Sequence, residues 1–136
     1  MESRKPTVII VDDHDFVLAK IRETIGEDFD VIAALNDGTS VAQMATQLKP
    51  DVVLMDICMP HLDGISAARE CRRLGLPVKL VFLTVQEDQE YLIAATAMNA
   101  GYVLKHRMHL DLCRALHDAL DNKVFVSPFS VLAPTK

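Results

Sequence analysis

The chain has 136 residues, half of them apolar and 24% charged, with a formal net charge of −5. That length fits one domain, and the apolar share supports a packed core, which excludes disordered and low-complexity classes. The acidic balance argues against a freestanding nucleic-acid binder, and no apolar run reaches the roughly 18 residues of a membrane span. The opening MESRKP leads into a strand-like run without a signal-peptide core, so a cytoplasmic location is expected. Cys58, Cys71 and Cys113 form no CxxC and no metal spacing with histidine, and read as reduced thiols.

TVIIVD (7–12) is the first strand-like run, and Val17, Leu18, Ile21 and Ile25 follow it at helical spacing up to Gly26. FDVIAAL (29–35) is the second, followed by Val41, Met44, Ala45 and Leu48 and closed by Pro50. DVVLMD (51–56) is the third; Asp63-Gly64 marks the start of a helix carrying Ile65, Ala68 and Cys71, ended by Gly75 and Pro77. VKLVFLT (78–84) is the fourth, with Ile93, Ala94 and Ala97 after it. GYVLK (101–105) is the fifth, with Leu112, Leu116 and Leu120 after it. Runs one, three and four are almost continuously apolar, as strands covered by helices on both faces are. Strict alternation with long connections predicts a parallel sheet with right-handed crossovers. Five units are too few for an eight-stranded barrel. The expected fold is therefore α/β, a three-layer, doubly wound, flavodoxin-like (βα)5 sheet of order 2-1-3-4-5.

Such folds bind ligands beyond the carboxyl ends of the strands. There the sequence places Asp12 and Asp13, Asp56, Thr84 and Lys105. Three carboxylates converging within about 5 Å repel by roughly 3 kcal/mol per pair at an effective dielectric near 20. A hard divalent cation relieves that repulsion, and few carboxylates with room for water suit Mg²⁺ better than Ca²⁺. An ammonium and a hydroxyl complete the parts needed for phosphoryl transfer, with a carboxylate able to act as nucleophile.

The chain resembles the receiver domain of two-component response regulators, the CheY-like family that includes the chemotaxis regulator. The matching pieces are VDDH (11–14), MDICMPHLDG (55–64), FLT (82–84) and GYVLK (101–105), spread over residues 7–121. The resemblance implies that Asp56 accepts a phosphoryl group from a sensor histidine kinase or a phosphotransfer protein. It implies direct Mg²⁺ ligation by Asp13, Asp56 and the backbone carbonyl of Cys58, with Asp12 acting through a water and Mn²⁺ as a substitute. Thr84 and Lys105 would contact the phosphoryl oxygens. Tyr102 would be the switch aromatic, turning inward as Thr84 moves and reshaping the face formed by the fourth helix, fifth strand and fifth helix. A phosphorylation-dependent homodimer is one implied output. The chain would not be an enzyme acting on a stream of substrates, only a switch that catalyses its own phosphorylation and dephosphorylation.

Some positions depart from the family pattern. His106 follows Lys105 where many members have proline, which leaves the following loop less constrained. Val85 follows Thr84 where a small residue is usual, and is expected to narrow phosphoryl access. Cys58 and Gln86 stand where attack of water on the phosphoaspartate is tuned. His14 reads as lining or capping the loop rather than ligating metal. Arg69, Arg72 and Arg73 read as the solvated face of their helix, and Lys105, His106, Arg107 and His109 as a basic loop. Two other classes fit less well. A haloacid-dehalogenase-like phosphohydrolase needs a carboxylate at the position of Cys58, and a flavodoxin-like cofactor binder would not place DDHDF against a phosphate.

The expected division is a receiver over 1–121 and a linker-like tail over 122–136, with two prolines, no helical period and loose packing or disorder. The first part of the tail, with DDH and GYVLK, resembles the NarL/LuxR-type regulators, in which a linker leads to a helix-turn-helix domain. Two readings stay open: an excised receiver of a transcription regulator, the preferred one, or a natural single-domain receiver acting through protein contacts. In the first, DNA binding belongs to residues outside this segment.

Overall fold

Each of the five apolar runs forms a strand, and each stretch of helical period forms a helix. The computed structural model describes residues 4–130. In chain order the elements are β1 (Thr7–Val11), α1 (Asp15–Ile25), β2 (Asp30–Leu35), α2 (Val41–Leu48), β3 (Val52–Met55), α3 (Gly64–Arg73), β4 (Lys79–Thr84), α4 (Gln89–Ala97), β5 (Gly101–Leu104) and α5 (Met108–Leu120). The sheet is parallel throughout, in the order β2-β1-β3-β4-β5.

Alternating side chains of the central strands feed two cores. Ile9, Val11, Val53, Met55, Leu80 and Phe82 face α2, α3 and α4. Val8, Ile10, Val52, Leu54, Val81 and Leu83 face α1 and α5. Burial on both sides explains why, past Thr7 and Lys79 at their starts, these strands carry no polar residue until their carboxyl ends. Strand register brings those ends level with one another. Val11 pairs with Met55 and Thr84 with Leu104, so Asp12 emerges beside Asp56, and Lys105 one residue beyond Thr84.

Three expectations are corrected. In α4 the buried residue is Ala95, while Ile93 is 64% exposed. That helix is apolar around most of its circumference, so its period does not define a buried face. Arg72 is not on a solvated face: its guanidinium donates to the carbonyls of Val78 at 2.7 Å and Met98 at 3.2 Å. The part of the tail within the described residues is packed, with Phe125 and Phe129 joining opposite cores and Ser127 fully buried. Residues 131–136 of the tail lie outside the described residues.

Candidate functional site

Asp12 and Asp56 are held by the ladder that precedes them. The Asp12 amide donates to the Leu35 carbonyl and the Asp56 amide to the Val11 carbonyl, each at 3.0 Å. Both side chains are nearly sealed from solvent, Asp12 at 1% and Asp56 at 5% exposure. The start of α3 braces the second of them. Asp63 caps that helix by accepting the Ser66 amide at 2.8 Å, and the Gly64 amide donates to the Ile57 carbonyl at 2.7 Å. A Cβ at position 64 would stand 2.1 Å from the Asp56 carbonyl oxygen, so only glycine fits there.

Lys105 ties the acidic residues together. Its Nζ lies 2.7 Å from Asp12 Oδ2 and 3.2 Å from Asp56 Oδ2. The Asp56 contact is an aligned hydrogen bond, and the closer approach to Asp12 is an ion pair that compensates its Oδ2. Burial pushes the Asp56 carboxyl above its ordinary value and Asp12 adds to that, while Lys105 opposes both. Burial alone would lower the Lys105 ammonium, but Asp12 and Asp56 together hold it above its usual range.

Next to these residues in the chain, Asp13 and Cys58 line an open cleft of about 700 Å³, together with Asp63 and Tyr91 among others. Asp13 Oδ1 is buried without a hydrogen-bond partner. Asp12, Asp13 and His14 offer ligand atoms that all lie within 4.8 Å of one another. His14 sits at the N-cap position of α1 without a side-chain cap bond, its Nδ1 3.2 Å from Asp13 Oδ1 and 3.4 Å from Asp12 Oδ1. A buried carboxylate oxygen without a hydrogen bond, Asp13 Oδ1, next to the carboxylates of Asp12 and Asp56 is the donor set a hard divalent cation takes. The residues present fit Mg²⁺.

Thr84 is fully buried, and its hydroxyl accepts the Gln86 amide at 3.2 Å. The Tyr102 hydroxyl donates to the Gln86 carbonyl at 2.5 Å, so the same loop residue is held from both sides. Burial pushes the Tyr102 phenol up to about 12. The ring is fully enclosed and turned inward. Cys58 is exposed; its amide points to Asp56 Oδ1 at 3.4 Å and its Sγ lies 3.9 Å from the Tyr91 hydroxyl. Val85 is 65% exposed at the edge of this region.

Sequence reasoning missed one group. The Arg107 guanidinium pairs with Asp111 at 2.7 Å, and Ser127 donates to the same carboxylate at 2.7 Å. The four-residue spacing of Arg107 and Asp111 at the start of α5 was its only signal.

Residues 8–117 match the family described as the response regulator receiver domain. The chain is 28% identical over 131 residues to the nitrate/nitrite response regulator protein NarL of Escherichia coli K12, covering 93% of this chain and 61% of that protein. It is 33% identical over 126 residues to the response regulator GacA of Pseudomonas aeruginosa, covering 89% and 58% respectively. The chain thus spans about three-fifths of the length of these relatives. A LuxR-family two-component response regulator from Aurantimonas superposes with a TM-score of 0.85 at 26% identity, covering 92% of this chain and 91% of that one. The isolated REC domain of RcsB from Salmonella enterica, solved with the phosphomimetic BeF3-, gives 0.81 at 28% identity, covering 91% and 94%. Among the described residues no helix is long and apolar enough to cross a membrane. The chain belongs to the response regulator receiver domain family, and within it to the NarL/LuxR type.

Proposed function

We propose that this receiver accepts a phosphoryl group on Asp56 in a Mg²⁺-dependent reaction and signals by a change of conformation. One observation carries the reading. Lys105 bridges Asp12 and Asp56 at the carboxyl end of the sheet, next to the buried Asp13 Oδ1, which lacks a hydrogen bond. Asp13, Asp56 and the Cys58 carbonyl would hold the metal, with Asp12 behind a water and Mn²⁺ as a substitute. When bound, Mg²⁺ neutralises charge on the transferred phosphoryl oxygens.

The protein's own groups do the rest. An Asp56 carboxylate oxygen attacks phosphorus in line as the bond to the donor's imidazole nitrogen breaks, and that nitrogen keeps the electron pair. Lys105 contacts one oxygen of the acyl phosphate. Thr84 gives up the bond it accepts from the Gln86 amide and donates its hydroxyl to another oxygen. Because Tyr102 bonds the carbonyl of that same Gln86, the shift at Thr84 reaches β5 and the α4-β5-α5 face.

The phosphodonor is a sensor histidine kinase or phosphotransfer protein. The output is transcriptional, through a DNA-binding domain outside this segment, and a phosphorylation-dependent homodimer on the α4-β5-α5 face serves it. A solved structure of RcsB describes two dimers bound to two parallel DNAs, which supports such an arrangement here. The test is incubation with Mg²⁺ and acetyl phosphate, followed by intact mass. One added phosphate is expected on the wild type, none on Asp56→Asn and none with chelator. An adduct of equal yield on the variant overturns the assignment.

A further inference from the structure

Residues 122–130 lie beyond the receiver match, which ends at 117, yet they pack on the segments that carry Lys105 and Tyr102. Val126 makes a parallel bridge with Tyr102. The Tyr102 amide donates to the Phe125 carbonyl and the Ser127 amide to the Tyr102 carbonyl, each at 2.8 Å. Phe125 packs on the α1/α5 core and Phe129 on the opposite core, so the segment crosses the free edge of β5.

At the crossing, the buried Ser127 hydroxyl accepts from the Leu104 amide at 3.1 Å and donates to Asp111 at 2.7 Å. Asp111 in turn holds Arg107 at 2.7 Å. One side chain therefore fixes both ends of the Lys105–Arg107 turn: the amide just before Lys105 and, through Asp111, the guanidinium two residues after it. That supplies a constraint to a loop that has histidine where many relatives have proline. Farther along, the Phe129 ring lies against Tyr102, with centroids 5.7 Å apart. Ser130 bonds Glu87, three residues past Thr84, at 2.8 Å from its amide and 2.5 Å from its hydroxyl.

We propose that residues 124–130 form a strap in which Ser127 and Phe129 are positioning residues for Lys105 and Tyr102, so that strap docking and phosphoryl occupancy of Asp56 favour each other. The proposal rests on the phosphoacceptor reading above. Removing the Ser127 hydroxyl leaves a buried amide and a carboxylate oxygen short of partners, which loosens the turn that aims Lys105. Removing the Phe129 ring uncovers Tyr102. Coupling of binding sites is reciprocal, so a phosphoryl mimic at Asp56 must tighten the strap by the factor with which the strap tightens the mimic. A strap that only seals the sheet edge would add stability without this coupling.

The test is amide hydrogen exchange at Tyr102 and Ser127 in the unaltered chain, with and without Mg²⁺ and beryllofluoride, with Val53 as a core reference. Exchange at both amides is expected to slow about 5- to 10-fold at saturation, the factor by which the strap tightens the mimic, while Val53, which opens with the whole domain, slows by the full binding factor. Ser127→Ala and Phe129→Ala are expected to weaken beryllofluoride binding by a similar factor. Unchanged exchange at both amides, in a chain whose Asp56 takes a phosphoryl group from acetyl phosphate, overturns the strap. So do folded variants that bind beryllofluoride as the wild type does. A wild-type chain that gains no phosphate at all sinks the phosphoacceptor reading instead.

Discussion

Lys105 stands nearer to Asp12, at 2.7 Å, than to Asp56, at 3.2 Å. The ammonium thus offsets the charge of both carboxylates, and it repels any second cation bound beside them. Unit charges about 6 Å apart interact by roughly 3 kcal/mol at an effective dielectric near 20, and solvent in the open cleft reduces this. Lys105→Met is therefore expected to bind Mg²⁺ about fivefold more tightly in calorimetric titration, while taking up phosphate from acetyl phosphate more slowly. Weaker Mg²⁺ binding by the variant would show that Lys105 organises the acidic residues rather than competing for them.

The Asp111 carboxyl gives a pH dependence of defined sign. Burial pushes it up, but hydrogen bonds from Arg107 and Ser127 outweigh that and hold it below its ordinary value. A carboxyl depressed in the folded state adds stability that is present above its unfolded value, about 3.9, and is lost as pH falls through the lower folded value. Asp56, raised by burial, contributes with the opposite sign, so the comparison must be between wild type and Asp111→Asn. At pH 7 the variant is expected to be less stable by about 2 kcal/mol, the scale of a hydrogen bond to a charged group. The gap should narrow below pH 4. A gap of constant size in urea titrations from pH 7 to pH 3 would contradict the assignment.

Val85 stands exposed one residue past Thr84, so its replacement changes access to the site without opening the core. Val85→Ala is expected to raise the rates of both phosphorylation by acetyl phosphate and dephosphorylation several-fold, with stability unchanged to within about 0.5 kcal/mol. Equal rates in wild type and variant, followed by phosphate-sensitive gel mobility, would remove Val85 from the description of the site.

The strands and the polar residues at their ends were legible because burial on both faces leaves an unmistakable apolar run, whereas their order followed only from the fold class, since no periodicity reports which strands are neighbours. Asp12, Asp56, Thr84 and Lys105 fall at such ends. What the pattern hid depended on partners remote in the chain. Arg72 looks solvated by its helical position, yet its long side chain reaches carbonyls before β4 and after α4. Ser127 sits between a valine and a proline in a stretch without helical period, and nothing local announces that Leu104 and Asp111 will meet there. The inward Tyr102 likewise depends on Phe129, 27 residues later in the chain. The face of α4 was obscured for a different reason: a helix apolar on most sides does not encode which side is covered.

The bridge between Val126 and Tyr102 also bears on solubility. β5 is an outer strand, and its outward amides and carbonyls would otherwise be a template for pairing with another chain. The tail satisfies Tyr102 on both its amide and its carbonyl, and Leu104 on its amide. A domain cut at Leu120, where the last helix ends, would present the apolar Gly-Tyr-Val-Leu strand with that edge bare. A receiver ended at Leu120 is therefore expected to self-associate more than one that runs through Phe129, some nine residues past the final helix.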